Sequence, residues 1–243
     1  MSPRLDQLLV RRGLVRSRSQ GREFILAGRV LVGGAACRRP GHELAADADL
    51  ALMPGTSRHR VGRGYDKLRA FLDGHPLDFT GRLVVDGGAA TGGFTQLALE
   101  RGARCVVAVD LGEGQLAPEL RGDPRVVVRE RCDLRTLDDL PAPCEILLLD
   151  LSGPSLRDVL PALRLPLAPG ARLVALVKPQ FELPARARTS SGRVRRDRDA
   201  EQVLDAVAAA AEASGWGGTS RGQAPRGPDQ LNREYFILAR RRA

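Results

Sequence analysis

Along the first quarter of the chain, apolar positions recur at helical spacing and then alternate. Leu5, Leu8 and Leu9 within residues 4–12 follow the i, i+3, i+4 rule, which predicts a short amphipathic helix ending near Gly13. Ser17 suits the N-cap of a second helix through Ala27, with Arg18 and Arg22 on one face and Phe24, Ile25 and Leu26 opposite. Gly28 stops that helix, and Val30 and Val32 begin a strand. Gly33-Gly34 and Pro40-Gly41 then read as turns, and Leu50–Met53 as a closing strand. Residues 1–55 thus form a small α+β domain. Residues 56–66 are polar and glycine-bearing and read as a linker, and a helix carrying Lys67, Leu68, Phe71 and Leu72 opens a second domain over 67–243.

From residue 82 the pattern changes. Short continuous apolar runs at 83–85, 105–109, 126–128, 146–149 and 173–177 alternate with helical segments, notably 94–101 and 200–214, and 235–238 is a final strand. Uninterrupted apolar strands between helices predict a mostly parallel sheet covered on both faces, an α/β Rossmann-like fold. The stretch Arg186–Arg198 holds six arginines and one acid and reads as a mobile basic loop.

Composition narrows the function classes. No apolar run in the 243 residues approaches the roughly 18–20 needed to cross a bilayer, and Met1-Ser2-Pro3-Arg4 begins no signal segment, so a cytoplasmic protein is expected. The four cysteines (Cys37, Cys105, Cys132, Cys144) stand singly, away from His42, His59 and His75, which predicts neither a metal site nor disulfides. The net charge is +9, and residues 1–63 hold twelve arginines against five acids, an excess of +7. Charge gathered so strongly at one end points to a polyanionic partner, nucleic acid before membrane. Among the 38 basic residues only Lys67 and Lys178 are lysine. Arginine replaces lysine as a surface cation but not where a deprotonatable amine is needed, so both lysines become candidates for chemistry.

Asp86, Asp110, Asp150 and Lys178 each directly follow a predicted buried strand, the place where open α/β sheets bind ligands. The turn after Asp86, Gly87-Gly88-Ala89-Ala90-Thr91-Gly92-Gly93, is neither GxGxxG nor GxxxxGK, which argues against a dinucleotide fingerprint or a P-loop. Its glycines still allow close approach of a ligand at a helix N-terminus. Asp110, 24 residues beyond Asp86, suits a ribose-hydroxyl acceptor. Without a pyrophosphate cradle, the pattern fits S-adenosylmethionine better than a dinucleotide.

Two sets of motifs resemble known families. Arg4-Leu-Asp-Gln-Leu-Leu-Val-Arg-Arg-Gly-Leu-Val-Arg-Ser-Arg, followed by Gly28-Arg-Val-Leu-Val, resembles the RNA-binding domain named after ribosomal protein S-four. Asp86-Gly-Gly-Ala-Ala-Thr-Gly-Gly-Phe-Thr, Val107-Ala-Val-Asp-Leu-Gly-Glu-Gly-Gln-Leu and Val177-Lys-Pro-Gln-Phe-Glu are similar to the FtsJ-type methyltransferase half of the TlyA (haemolysin A) family, with Arg63-Gly-Tyr-Asp-Lys-Leu and Asn232-Arg-Glu-Tyr-Phe as outer motifs. The chain departs from the family pattern in Leu151-Ser-Gly-Pro-Ser after Asp150, which lacks the usual aromatic.

The resemblance implies a ribosomal RNA 2′-O-ribose methyltransferase, typically acting at cytidine, with S-adenosylmethionine as donor. It places the family's Lys-Asp-Lys-Glu tetrad on Lys67, Asp150, Lys178 and Glu234. Both lysines of the chain fall on it. Lys178 is the candidate base for a ribose hydroxyl, or else a charged stabiliser of the developing alkoxide with water taking the proton. Asp86, Gly87, Gly88, Thr91 and Gly92 would face the methionine part of the donor, Asp110 with Leu111 its ribose, and Asp133 its adenine amino group. Arg11, Arg12, Arg18 and Arg22 are the leading phosphate ligands, and folded ribosomal RNA or a ribosomal subunit the expected partner, with no obligate protein partner. Two rival readings are an RNA-binding protein that kept a methyltransferase fold without catalysis, and a membrane-active haemolysin. The first conflicts with the intact tetrad, and the second with the lack of a sustained amphipathic basic helix bearing aromatic anchors.

Overall fold

The computed structural model describes residues 3–15, 17–53, 61–226 and 230–242. They form two compact units that divide near residue 60.

The first unit packs two helices on a small sheet. Helices α1 (Leu5–Arg11) and α2 (Arg18–Leu26) bury Leu5, Leu9, Phe24 and Ile25 against Val30 of the sheet. Ser17 caps α2 as expected, accepting from Gln20 N at 3.2 Å. Strand β1 (Val30–Val32) lies between β2 (Ala35–Cys37) and β3 (Leu50–Leu52), antiparallel to both. The two-residue turn Gly33-Gly34 has positive φ at both positions (55° and 79°), the mirror-image turn whose twist matches a tight hairpin. One feature was not apparent in the sequence. Asp6, in the first turn of α1, is fully buried and is held by Arg18 Nη2 at 3.1 Å and Arg4 Nε at 3.3 Å. Burial pushes its carboxyl up, but the two guanidiniums outweigh this and hold it below the usual carboxylate range.

Residues 54–60 of the expected joining segment lie outside the described residues. Residues 62–66 are not linker. They form the first turns of α3 (Gly62–Gly74), whose entry is fixed by Val61 N donating to Gln96 Oε1 at 2.8 Å. Tyr65, Leu68, Phe71 and Leu72 form its buried face.

The second unit is built on a seven-stranded sheet. Its strands are β4 (Leu83–Gly87), β5 (Cys105–Val109), β6 (Val126–Arg129), β7 (Cys144–Leu149), β8 (Leu167–Val177), β9 (Trp216–Gln223) and β10 (Tyr235–Arg241). The order is β6-β5-β4-β7-β8-β10-β9, parallel from β6 through β8 and antiparallel at β10 and β9. This is the expected Rossmann-like methyltransferase sheet. The chain leaves β4 toward β5 on one side and reaches β7 on the other, so a topological switch point lies at the carboxyl end of β4. Helices α3 and α4 (Gly93–Glu100) cover one face through Leu68, Phe71, Phe94 and Leu97. Helices α6 (Leu156–Ala162) and α8 (Asp197–Ala213) cover the other through Leu156, Leu160, Val203 and Val207. Short helices α5 (Pro118–Arg121) and α7 (Pro179–Glu182) follow β5 and β8. Strand β9 is absent from the sequence reading, as are β2 and the short helices α5, α6 and α7. Gly217, Gly218 and Gly222 erase its alternation, and it exists as an edge strand by pairing with β10.

Candidate active site

Three strand ends and one helix converge at one edge of this sheet. Asp150 follows β7, Lys178 follows β8 and Glu234 immediately precedes β10. β8 and β10 are antiparallel with Val177 opposite Tyr235, so Lys178 and Glu234 are each one residue beyond that pair, at the same end of adjacent strands. Lys178 Nζ lies 2.6 Å from Asp150 Oδ1 and donates to Ser152 Oγ at 2.9 Å. Lys67 reaches in from α3 and donates to Glu234 Oε2 at 2.6 Å, across 167 residues of chain. One turn before Lys67, Gly64 passes so close that a Cβ there would sit 3.4 Å from Asp150 Oδ2, which brings the Lys67 helix against the second pair.

The four groups of the expected tetrad are therefore gathered as two ion pairs. Their burial bears on why they are there. The Lys67 and Glu234 side chains are only 15% and 7% exposed. Two charges withdrawn this far from water recover little more than their desolvation cost, and a well-packed apolar pair of similar volume would stabilise the fold as well or better. Stability alone does not call for this arrangement.

Beside the tetrad lies a cavity of about 410 Å³, whose lining includes Gly88, Asp110, Leu111, Asp133, Asp150 and Ser152. That size suits a nucleoside-like ligand. Asp110 organises it. Its Oδ2 accepts from Ala90 N at 2.8 Å and its Oδ1 from Gly112 N at 2.7 Å, so one carboxylate ties the glycine-rich turn to the loop after β5. Each oxygen keeps a further lone pair for a ligand hydroxyl. Leu111 is 66% exposed at the cavity, an apolar side chain offered to a flat partner. Gly88 has φ of +79°, and a Cβ there would lie 2.6 Å from the carbonyl oxygen of Asp150, so only glycine permits the turn to pass β7. Asp133 lines the cavity while accepting from Arg135 N and its guanidinium at 2.5–3.0 Å, which holds its carboxyl below the usual range.

The remaining expected donor ligands are placed differently. Asp86 does not line the cavity. Alternation along β4 turns its side chain toward α4, where Thr95 Oγ1 donates to Oδ2 at 2.6 Å. Asp86 is completely enclosed, and burial pushes its carboxyl up to about 7, partly opposed by Thr95 and reinforced by Asp150 and Asp110. Its Oδ1 has no hydrogen-bond partner among the described residues. Gly87 is packed against Leu134 and Leu149, and Gly92 (φ +96°) against Leu116 and Leu120. The Thr91 side chain meets Gly62 at the start of α3. None of these four residues lines the cavity; Asp86, Gly87 and Gly92 are packed into the turn, and Thr91 is exposed.

Three further residues were missed by sequence reasoning. Ser152, the second partner of Lys178, sits in the segment that departs from the family pattern. Glu182, 5% exposed, accepts from Leu156 N at 2.7 Å, from Arg157 Nε at 3.2 Å and from Ser155 Oγ, which locks the turn after Lys178 to the start of α6. Asn232 is buried and accepts from Val194 N at 2.8 Å while donating to Gly192 O at 3.0 Å. Glu182 and Asn232 both lie in the motifs around the tetrad, which was the only signal of their importance.

In the first unit, Arg11, Arg12, Arg18 and Arg22 are all exposed. Arg18 is committed to Asp6, however, and Arg12 Nη2 donates to Ala46 O at 2.6 Å, so part of their hydrogen-bonding capacity serves the fold. No helix among the described residues is long and apolar enough to cross a membrane, and they contain no cluster of side chains able to hold a metal ion.

Comparison with known proteins agrees with this geometry. Residues 60–242 match the FtsJ-like methyltransferase family, and residues 3–50 match the S4 domain. The chain is 41% identical over 241 residues to a 16S/23S rRNA (cytidine-2′-O)-methyltransferase, TlyA, of Mycobacterium tuberculosis, covering 98% of this chain and 89% of that protein. A solved structure from Streptococcus thermophilus that carries a hemolysin name is 33% identical, with a TM-score of 0.74, over 99% of this chain and 89% of that one. A S-adenosylmethionine-dependent methyltransferase from Mesorhizobium loti, 18% identical, shares the fold with a TM-score of 0.51 over 71% of this chain and 96% of its own.

Proposed function

The chain belongs to the TlyA family of FtsJ-like methyltransferases, and from that premise we propose that it methylates the ribose 2′-hydroxyl of cytidine in ribosomal RNA, with S-adenosylmethionine as donor, in the cytoplasm. The observation that carries this reading is the pairing of Lys67 with Glu234 and of Lys178 with Asp150 beside a cavity of nucleoside size.

The cavity fits the donor. Asp110 has lone pairs left for the two ribose hydroxyls and Leu111 offers an apolar face for the base, while Asp133 lines the cavity with both oxygens engaged by Arg135 and would need that pairing to loosen to accept from an exocyclic amine. The acids Asp110, Asp133 and Asp150 also suit a cationic ligand. When bound, the donor supplies an electrophilic methyl group on a sulfonium.

The chain's own residues prepare the nucleophile. A ribose hydroxyl is a poor acid and must lose its proton as it attacks. Lys178 is assigned that proton, which it takes as the neutral amine after its ion-paired ammonium has released one to solvent; in this arginine-rich chain a guanidinium would fill a purely electrostatic role equally well. Asp150 and Ser152 hold its nitrogen from two sides and fix where its remaining valence points. Glu182 anchors the backbone that follows. The Lys67–Glu234 pair sets a second ammonium at the edge of the site, where it can donate to the acceptor strand. Holding hydroxyl and methyl group in line contributes several kcal/mol to a bimolecular displacement, and this is the work of the rigid strand ends.

Mapping 2′-O-methyl positions in 16S and 23S ribosomal RNA, with and without the protein, tests the reading. A cytidine that gains the mark only in its presence is expected. An unmodified ribosomal RNA pool, together with absence of donor binding by calorimetry, would leave the non-catalytic RNA-binding alternative.

A further inference from the structure

A second cavity, of about 620 Å³, opens beside the tetrad, and the donor site leaves it unexplained. Arg193, Arg195, Arg226 and Arg233 line it together with Asn232 and Leu231, and among the described residues its lining includes no carboxylate. Pro179 and Arg233, also in its lining, are the chain neighbours of Lys178 and Glu234, so the cavity begins one residue from two members of the tetrad.

The arginines are held in place. The segment expected to be a mobile basic loop is a tight hairpin, with Thr189 N donating to Arg193 O at 2.8 Å and an isolated bridge between Arg188 and Val194. Buried Asn232 clamps that hairpin through Val194 N and Gly192 O. Asn232 is two residues before Glu234, so the same short segment positions the arginine hairpin and a catalytic carboxylate. Arg226 donates to the carbonyls of Gln230 and Leu231 at 3.0 and 3.2 Å, and Arg195 to that of Arg188 at 3.1 Å. Each of these guanidiniums has five N–H donors and so keeps several for a ligand. Arg193, Arg195 and Arg226 bring three like charges to one concavity, and an anion relieves their repulsion.

We propose that this cavity is a seat for backbone phosphates of the ribosomal RNA strand next to the nucleotide being methylated. The inference rests on the 2′-O-methyltransferase reading above. Phosphate contacts here would set the register of the strand against Lys178 without reading its bases, which is how backbone contacts act generally. A guanidinium binds phosphate with two parallel hydrogen bonds, so the choice of arginine over lysine fits the task.

The test is a triple variant, Arg193→Gln/Arg195→Gln/Arg226→Gln, compared with a control of equal charge loss, Arg82→Gln/Arg104→Gln/Arg125→Gln. The control arginines directly precede β4, β5 and β6 and therefore lie at the opposite end of the sheet. Binding of unmodified 16S and 23S transcripts is measured by filter retention over a range of salt. The cavity variant is expected to bind at least about 10-fold more weakly at physiological salt. Its log–log salt slope should fall by roughly 2, the release expected for three single-strand phosphate contacts. Donor affinity stays as in the parent. Unchanged RNA affinity and slope, or an equal fall in the control, would overturn the proposal. So would stabilisation of the parent by inorganic phosphate, lost in the variant, without a change in RNA slope. That result would make the cavity a site for a free anion. Methyl transfer by the parent protein is scored separately. If it is absent while the slope falls, the methyltransferase reading fails and the phosphate seat stands.

Discussion

Two cavities open at the carboxyl end of the sheet, and they differ in the sign of their charge. The smaller is lined by Asp110, Asp133 and Asp150, with Arg135 already paired to Asp133. Among the described residues, the larger is lined by four arginines and no acid. Lys178 belongs to both neighbourhoods. Its partners Asp150 and Ser152 line the first cavity, and its chain neighbour Pro179 lines the second. A transferase that joins a small cation to a polyanion benefits from such a division. On the proposed reading each ligand would find complementary charge and neither would be drawn into the other's place, with Lys178 at the boundary.

The most direct way to break this comparison is at the boundary. Lys178→Arg keeps a cation but removes the accessible free amine. Single-turnover methyl transfer should fall by about 100-fold or more, the usual scale for losing a general base. Donor binding by calorimetry and RNA binding should both persist. Full turnover in the variant would show that charge alone suffices.

A change within the acidic cavity should have a smaller and one-sided effect. Asp110→Asn removes a charged acceptor that serves both the ligand and the glycine-rich turn. Donor affinity should drop by about 10- to 100-fold, as expected for a hydrogen bond to a charged group, with RNA affinity unchanged. Equal loss of both would mean that the two cavities do not act separately.

Asp86 sharpens the comparison in another way, since it is an acid of this region that is fully buried and does not line the cavity. Its carboxyl is raised from an ordinary 3.8 to about 7 in the folded chain. Between those values the native state holds a proton that the unfolded chain has released. Stability therefore falls as pH rises from about 4 to 7 and levels off above. Asp86→Asn should abolish that fall, giving a melting temperature several degrees above the parent at pH 8 but close to it at pH 4, on the order of magnitude given by a domain of this size. A parent and variant with parallel melting curves across this range would mean that Asp86 ionises normally.

The smallest expected effect lies in the first unit, where an arginine is bound by the fold rather than by a ligand. Asp6 is held below the usual carboxylate range, so its contribution is present at neutral pH and is lost as pH falls through that lowered value. Arg18→Gln should weaken this acid-side loss and cost no more than about 1 kcal/mol, since Arg18 is largely exposed. It should also reduce RNA binding less than Arg22→Gln does, because Arg18 is paired with Asp6 whereas Arg22 is exposed and, among the described residues, has no such partner. Equal losses in a binding titration would return Arg18 to the RNA surface.

Much of this molecule was legible along the chain because the signals are local. Period and turn chemistry marked α1, α2 and the buried strands, and the Gly33-Gly34 hairpin needed only its two residues. The rarity of lysine singled out Lys67 and Lys178 before any geometry was known. The position of Asp86, Asp110 and Asp150 after apolar runs marked all three as candidates for the ligand-binding edge, and the structure places the last two, but not Asp86, on the cavity lining. β9 was not legible. Its glycines carry no pattern, and its pairing energy comes from β10.

What the sequence by itself determined is the set of groups brought to the carboxyl edge: two amines, three strand-end acids, Glu234 beside them and a glycine turn between. Only the tertiary structure decided how they are used. It pairs Lys67 with Glu234 and not with Asp150, turns Asp86 away from the cavity, and hangs an arginine hairpin on Asn232. The physical reason is that propensity and period act over a few residues. A hydrogen bond spanning 167 residues, or the choice of which face a strand-end acid presents, is settled only when strands register and helices pack.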